Sequence, residues 1–149
     1  MTNYEYLNDD LEAAVSDVPY RIANLSNASA LLYDALEDIN WAGFYLMEDG
    51  HLVLGPFQGK LACVEIELGN GVCGKAALNR TALIVPNVHE FDGHIACDSA
   101  SNSEIVIPII KDDQVLGVLD IDSPLFDRFC EEDLEGLSRF VQILVSKVF

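Results

Sequence analysis

Four cysteines, Cys63, Cys73, Cys97 and Cys130, and three acids, Glu104, Asp120 and Asp122, are the residues whose types and spacing can do chemistry. No two cysteines form a C-x-x-C pair, so the chain encodes neither a thioredoxin-type motif nor a zinc ribbon. His94 and Cys97 are separated by two residues, and with His89, Cys63 and Cys73 they make a set of metal-ligand types. Their spacing is irregular, and no metal is expected. Cys73 lies in Gly71-Val72-Cys73-Gly74 at an expected helix start, where the helix dipole favours a thiolate. Cys97 falls in a polar loop and is expected to be accessible, whereas Cys130, just before three acids, reads as structural.

The acids are placed by strand alternation. Over Gln114 to Asp122 it puts Leu116, Val118, Asp120 and Asp122 on one face, and Val115, Leu119 and Ile121 on the other with Gly117. Two readings are open for the aspartates. Either the strand ends near Asp120 and both are solvated or capping, or they clamp a cation. With no Lys or Arg nearby in sequence, that cation is a ligand ammonium group or a metal. Glu104 opens another strand on the face of Val106, and it is either a solvated edge residue or a carboxyl whose pKa is raised by apolar and acidic neighbours. In the second case it holds a proton at neutral pH and can donate it. Trp41, Gly43 and Tyr45 share a face, either as core packing or as two aromatic walls with a gap at Gly43 that suits a small apolar group such as a thioether methyl.

The elements that must position these groups are legible in outline. An amphipathic helix is expected from Pro19 to about Asn40, capped by Ser16 or Asp17, with Ile22, Leu25, Ser29, Leu32, Leu36 and Ile39 on one stripe. Strands are expected at Trp41 to Met47, His51 to Phe57, Cys63 to Leu68, Ala82 to Val85, Ser103 to Ile110 and Gln114 to Ile121. A short helix follows Gly69-Asn70-Gly71 and runs through Asn79, and a final helix carries Leu134, Leu137, Val141, Leu144 and Val148 on one stripe. The long polar stretch from Pro86 to Asn102 holds His89, His94 and Cys97, and a loop of that length in a compact domain is functional or disordered. The fold class expected is α+β: one domain over residues 1–149, with a central antiparallel sheet and the N- and C-terminal helices packed on one face.

Composition narrows the partners. The chain of 149 residues is 50% hydrophobic, 22% charged and carries a formal charge of −17, with 25 acids against 8 bases. A chain of this length buries roughly two-thirds of its unfolded surface and needs no disulfide or metal for stability. Such a charge repels phosphate backbones and anionic lipid, so nucleic-acid and membrane-surface roles are not expected. The opening MTNYEYLNDD has neither a basic nor an apolar leader segment, so a cytoplasmic protein is expected, in which thiols stay reduced unless they are catalytic, metal-bound or redox-sensing.

The runs Asn40-Trp41-Ala42-Gly43-Phe44-Tyr45, LGPFQGKLACVEIELGNGVCG (Leu54 to Gly74), VPNVHEFDGHIACDSASNSEIVIP (Val85 to Pro108) and GVLDIDSP (Gly117 to Pro124) resemble the GAF-domain free methionine-(R)-sulfoxide reductases. The resemblance covers nearly the whole chain. It implies that Cys97 is the nucleophile, Cys63 the resolving thiol and Cys73 a second thiol able to exchange. It also implies that Glu104, Asp120 and Asp122 handle the polar end of free methionine (R)-sulfoxide, that Trp41 and Tyr45 line a methyl pocket, and that thioredoxin is the reductant. A homodimer is implied as well, and no cofactor: Gly69-Asn70-Gly71 lacks both phosphate-loop and dinucleotide patterns. The alternative from another class is a GAF-type ligand-binding or redox-sensing module without turnover. Such modules signal to an attached output domain, for which this chain has no expected length left.

Overall fold

The computed structural model describes residues 2–93 and 100–149. His94 and Cys97 lie outside the described residues. Helix α1 (Tyr4–Val15) comes first and is absent from the sequence expectation. Its start is fixed by the Asn3 side chain, which accepts the Tyr6 N–H at 3.1 Å, and its stability comes from Leu7, Leu11 and Val15, spaced four apart and buried. Helix α2 (Arg21–Ala35) is shorter than the pattern predicts. Ser16 turns out to be the C-cap of α1, Asp17 is left-handed (φ 63°), and Tyr20 caps α2 without a side-chain hydrogen bond. Ile22 stands 74% exposed, so the buried apolar stripe of α2 begins at Leu25.

Six strands follow: β1 (Trp41–Glu48), β2 (His51–Gly59), β3 (Glu65–Ile66), β4 (Leu83–Val85), β5 (Ser103–Lys111) and β6 (Gln114–Ser123). Helix α3 (Gly71–Asn79) lies between β3 and β4, and α4 (Glu131–Lys147) closes the chain. The sheet order is β3-β2-β1-β6-β5-β4, every pairing antiparallel, as expected for this fold class. The two-residue β3 and three-residue β4 form its edges. The Cys63-to-Leu68 expectation survives only as β3, leaving Cys63 in the irregular connection before it.

Alternation splits the sheet into two apolar faces. Ala42, Phe44, Ile105, Ile107, Ile109, Leu119 and Ile121 meet Leu11, Leu25, Leu32, Leu137, Phe140 and Leu144 of α1, α2 and α4. Trp41, Tyr45, Leu52, Val106 and Val118 meet Val72, Ala76 and Ala77 of α3 on the other face, which is therefore the face open to a ligand. Each fully buried Leu, Ile or Phe contributes about 1.5–3 kcal/mol of transfer free energy. Two bulges break the alternation. In β6 the register passes from Ile109↔Gly117 to Ile110↔Val115, skipping Leu116. Leu116 thereby packs with the helices and Val115 with the α3 face, the reverse of the simple strand reading. In β2 the register steps around Gly55 and Pro56, where proline has no N–H for the ladder.

Candidate active site

Pairing carries the acids into one place. Asp122 lies opposite Glu104 on one side and Trp41 on the other, and Asp120 lies between Val106 and Gly43. Strand β6 runs on through Ser123, so the aspartates belong to the strand rather than to its solvated end. Glu104 and Asp120 are only 6% and 5% exposed. Together with Trp41, Tyr45, Leu61, Ala62, Ile66, Val72, Cys73, Ser101 and Asp122, they line a pocket of about 540 Å³, part of it open to solvent. No Lys or Arg is among its described lining residues.

Three carboxyls this close cannot all ionise. Burial pushes the Glu104 carboxyl well above the usual carboxylate range, and the charges of Asp120 and Asp122 push it further; it shares its proton with them through side-chain hydrogen bonds. Burial also raises Asp120, while hydrogen bonds from Glu104 and from the Cys73 thiol pull it back. One oxygen remains unanswered: among the described residues, buried Asp120 Oδ1 has no hydrogen-bond partner. A buried lone carboxylate oxygen is costly unless a ligand supplies the donor.

Cys73 departs from its sequence reading. It is the third residue of α3, whose N-cap is Asn70, yet burial, together with the negative charges of Asp120, Glu104 and Asp122, raises its thiol well above the ordinary value. The helix dipole loses to this field, and Cys73 is a neutral S–H donor to Asp120 rather than a thiolate. Cys63 is half-buried and disulfide-bonded, whereas Cys73 and Cys130 are free thiols. Cys130 takes the structural place expected of it, as the N-cap of α4 with its Sγ donating to Asp133 Oδ2 at 3.4 Å.

The donor atoms of Cys73, Glu104 and Asp120 all lie within 4.8 Å of one another, a grouping able to hold a cation. Of the irregular His and Cys set, Cys73 alone among the described residues joins this grouping, and His94 and Cys97 lie outside the described residues. His89 is exposed and pairs with Asn102 Oδ1 at 2.8 Å instead.

The aromatic wall is present but differently built. A Cβ on Gly43 would lie 2.3 Å from Phe57 Cβ and 2.9 Å from the Pro56 carbonyl, so the space beside Gly43 is filled by β2 and is no ligand gap. Trp41 stacks between Phe57 (5.1 Å) and Tyr45 (5.9 Å). Its Nε1 donates to the Lys60 carbonyl at 3.2 Å, and the Tyr45 hydroxyl donates to the Cys63 carbonyl at 2.9 Å. The apolar lining residues Leu61, Ala62, Ile66 and Val72 carry no site signal in the sequence, and two further contributors are also missed there. Phe57 was hidden by the Gly55-Pro56 bulge, and Ser101, which accepts from Asn40 Nδ2 at 3.2 Å, carried no signal among the serines of its loop.

A six-stranded antiparallel sheet with terminal helices behind it and an acidic pocket in front defines a GAF domain, and the sequence profile of that domain matches residues 23–145. The chain is 56% identical over 138 residues to the free methionine-R-sulfoxide reductase of Escherichia coli (strain K12), covering 93% of this chain and 84% of that one. It is 48% identical over 131 residues to the enzyme of the same name from Saccharomyces cerevisiae, covering 83% and 73%. The Staphylococcus aureus fRMsr, solved in complex with its substrate, superposes with a TM-score of 0.95 at 51% identity, covering 100% of this chain and 97% of that one. The chain belongs to the free methionine-R-sulfoxide reductase family of GAF domains.

Proposed function

We propose that the protein reduces free L-methionine (R)-sulfoxide to methionine, with the amino acid's ammonium group held by Asp120 and Asp122 and its sulfoxide end directed past Trp41 and Tyr45. The observation that carries this reading is the buried Asp120 Oδ1, which has no hydrogen-bond partner among the described residues, in a pocket whose described lining includes no Lys or Arg. An ammonium group supplies the missing donor and charge together, and a methionine inside a peptide has none to offer.

In the chemistry that follows, the Cys97 thiolate attacks the sulfoxide sulfur while protonated Glu104 gives its proton to the sulfoxide oxygen. Methionine leaves, and the oxygen remains on Cys97 as a sulfenic acid. Glu104 suits the role because burial and its two acidic neighbours keep it protonated. The Cys63 sulfur then condenses with the sulfenic acid, forming a disulfide and releasing water, and an external dithiol, thioredoxin, reduces that disulfide. Cys63 supports its part by already being disulfide-bonded, and it is flanked by Leu61 and Val64, 90% and 64% exposed, which offer an apolar surface to a reductant. Cys73, buried and neutral, orients Asp120 in this scheme.

Among the described residues no helix is long and apolar enough to cross a membrane. The deciding experiment is turnover of free methionine (R)-sulfoxide with thioredoxin, its reductase and NADPH, with methionine quantified directly. Stoichiometric methionine formation is expected, and binding without any methionine release refutes the reading in favour of a sensing module.

A further inference from the structure

The segment spanning residues 60–64, which joins β2 to β3 and carries Cys63, has no regular secondary structure. Three donors hold its backbone. Leu54 N–H donates to the Val64 carbonyl at 2.9 Å, Trp41 Nε1 to the Lys60 carbonyl at 3.2 Å, and the Tyr45 hydroxyl to the Cys63 carbonyl at 2.9 Å. Two of the three are side chains of one strand, β1, and both are 2% exposed. The Trp41 ring is itself fixed, stacked on Phe57 at 5.1 Å with 16° between planes. Gly59 leaves it room, since a Cβ there would lie 2.6 Å from Trp41 Cδ1.

We propose that Tyr45, with Trp41 beside it, is a positioning residue for the resolving thiol: its hydroxyl holds the Cys63 carbonyl so that the Cys63 sulfur stays within reach of the sulfenic acid formed at Cys97. The inference rests on the reading of Cys97 as nucleophile and Cys63 as resolving thiol. In the step concerned the Cys63 thiolate attacks the sulfenyl sulfur. The S–S bond forms and the S–O bond breaks, and the departing hydroxide takes up the proton Cys63 released and leaves as water. In a segment without regular secondary structure, the anchor on the reacting residue itself matters most, because it limits the conformations searched before attack. Tyr45 remains a donor over the working pH range, since burial and the neighbouring negative charges hold its hydroxyl far above the usual tyrosine value. The ring lines the pocket while the O–H is committed to the main chain of Cys63, so the two roles are separable.

Tyr45→Phe keeps the ring and deletes the bond. Because the ring also walls the pocket, the quantity to read is a ratio: the rate of disulfide formation over the rate of methionine release, both from one quench-flow series with the sulfenic acid chemically trapped. Losing a typical hydrogen bond should lower this ratio roughly three- to tenfold relative to wild type. A second measurement needs no sulfoxide: the equilibrium of the Cys63 disulfide with a dithiothreitol redox buffer, which should shift toward the reduced protein by a similar factor. Either shift supports the tether, and the absence of both overturns it. If the wild type releases no methionine at all, the activity reading fails, and the redox-buffer equilibrium still decides whether Tyr45 anchors Cys63.

Discussion

Masking the ammonium group of the substrate by N-acetylation tests the pocket at its most exacting point. Asp120 is 5% exposed and its Oδ1 has no partner among the described residues, so the proposed clamp has the ligand supply one. A charge-assisted hydrogen bond is worth about 1.5–3 kcal/mol, and leaving a buried charge without its counterpart costs about 3–5 kcal/mol. The second figure applies here, because the acetylated ligand still has to displace water from the carboxylates while returning neither charge nor the full set of donors. At about 1.4 kcal/mol per factor of ten, the expected loss in kcat/KM is roughly 10²- to 10⁴-fold. The assay is methionine or N-acetylmethionine release under identical thioredoxin-coupled conditions, in wild type and in Asp120→Asn. In the variant the two substrates should draw together to within roughly tenfold, because the charge that discriminated between them is gone. Reduction of the N-acetyl compound by wild type within roughly tenfold of the free amino acid refutes the clamp.

The other expectations concern individual residues. Cys97→Ser should abolish even a single turnover, whereas Cys63→Ser should release about one equivalent of methionine per chain, since the sulfenic acid forms before resolution; quantified burst amplitudes decide both. Glu104→Gln keeps the shape but has no carboxylic proton, and its single-turnover rate should fall by roughly 10²-fold or more. The same variant carries a pH signature. Because the folded pKa of Glu104 is raised above its ordinary 4.5, its contribution to stability is complete below that value and is lost as pH rises through the folded value. Glu104→Gln should therefore gain on wild type by up to about 1.4 kcal/mol per pH unit as pH rises. Urea unfolding between about pH 5 and about pH 8 measures this, and parallel curves for the two proteins rule it out. Gly43→Ala should destabilise by about 1–3 kcal/mol, because the new methyl meets the backbone of Phe57 and Pro56; an unchanged denaturation midpoint contradicts the packing described.

Alternation is enough to put Asp120 and Asp122 on one face, because a period of two survives wherever the ladder is regular, whereas Glu104 joins them through the β5–β6 register, which the strand pattern does not contain. Alternation failed at Leu116 and Val115, where a bulge of one residue swaps faces, and at Phe57, which lies just past Gly55-Pro56. Helix α1 was illegible because its apolar stripe is only one residue per turn amid acids, and it is held by docking on α4 and α2 rather than by propensity. At Cys73 a local influence, the helix start, is outweighed by a tertiary one. The acids that keep its thiol neutral stand more than thirty residues away and arrive only through β5 and β6.

The shortness of β3 and β4 bears on how the molecule behaves in a crowded solution. A sheet border with unspent N–H and C=O groups templates the addition of foreign strands, the first step toward aggregates. Here β2 and β5 outrun their outer partners, and each overhanging stretch contains a proline, Pro56 and Pro108, with no N–H to offer an incoming chain. The connection bearing Cys63 runs on directly from the Pro56 end of β2. The rim beside the Cys63 disulfide is therefore one that resists strand exchange, even though its outer strand is only two residues long.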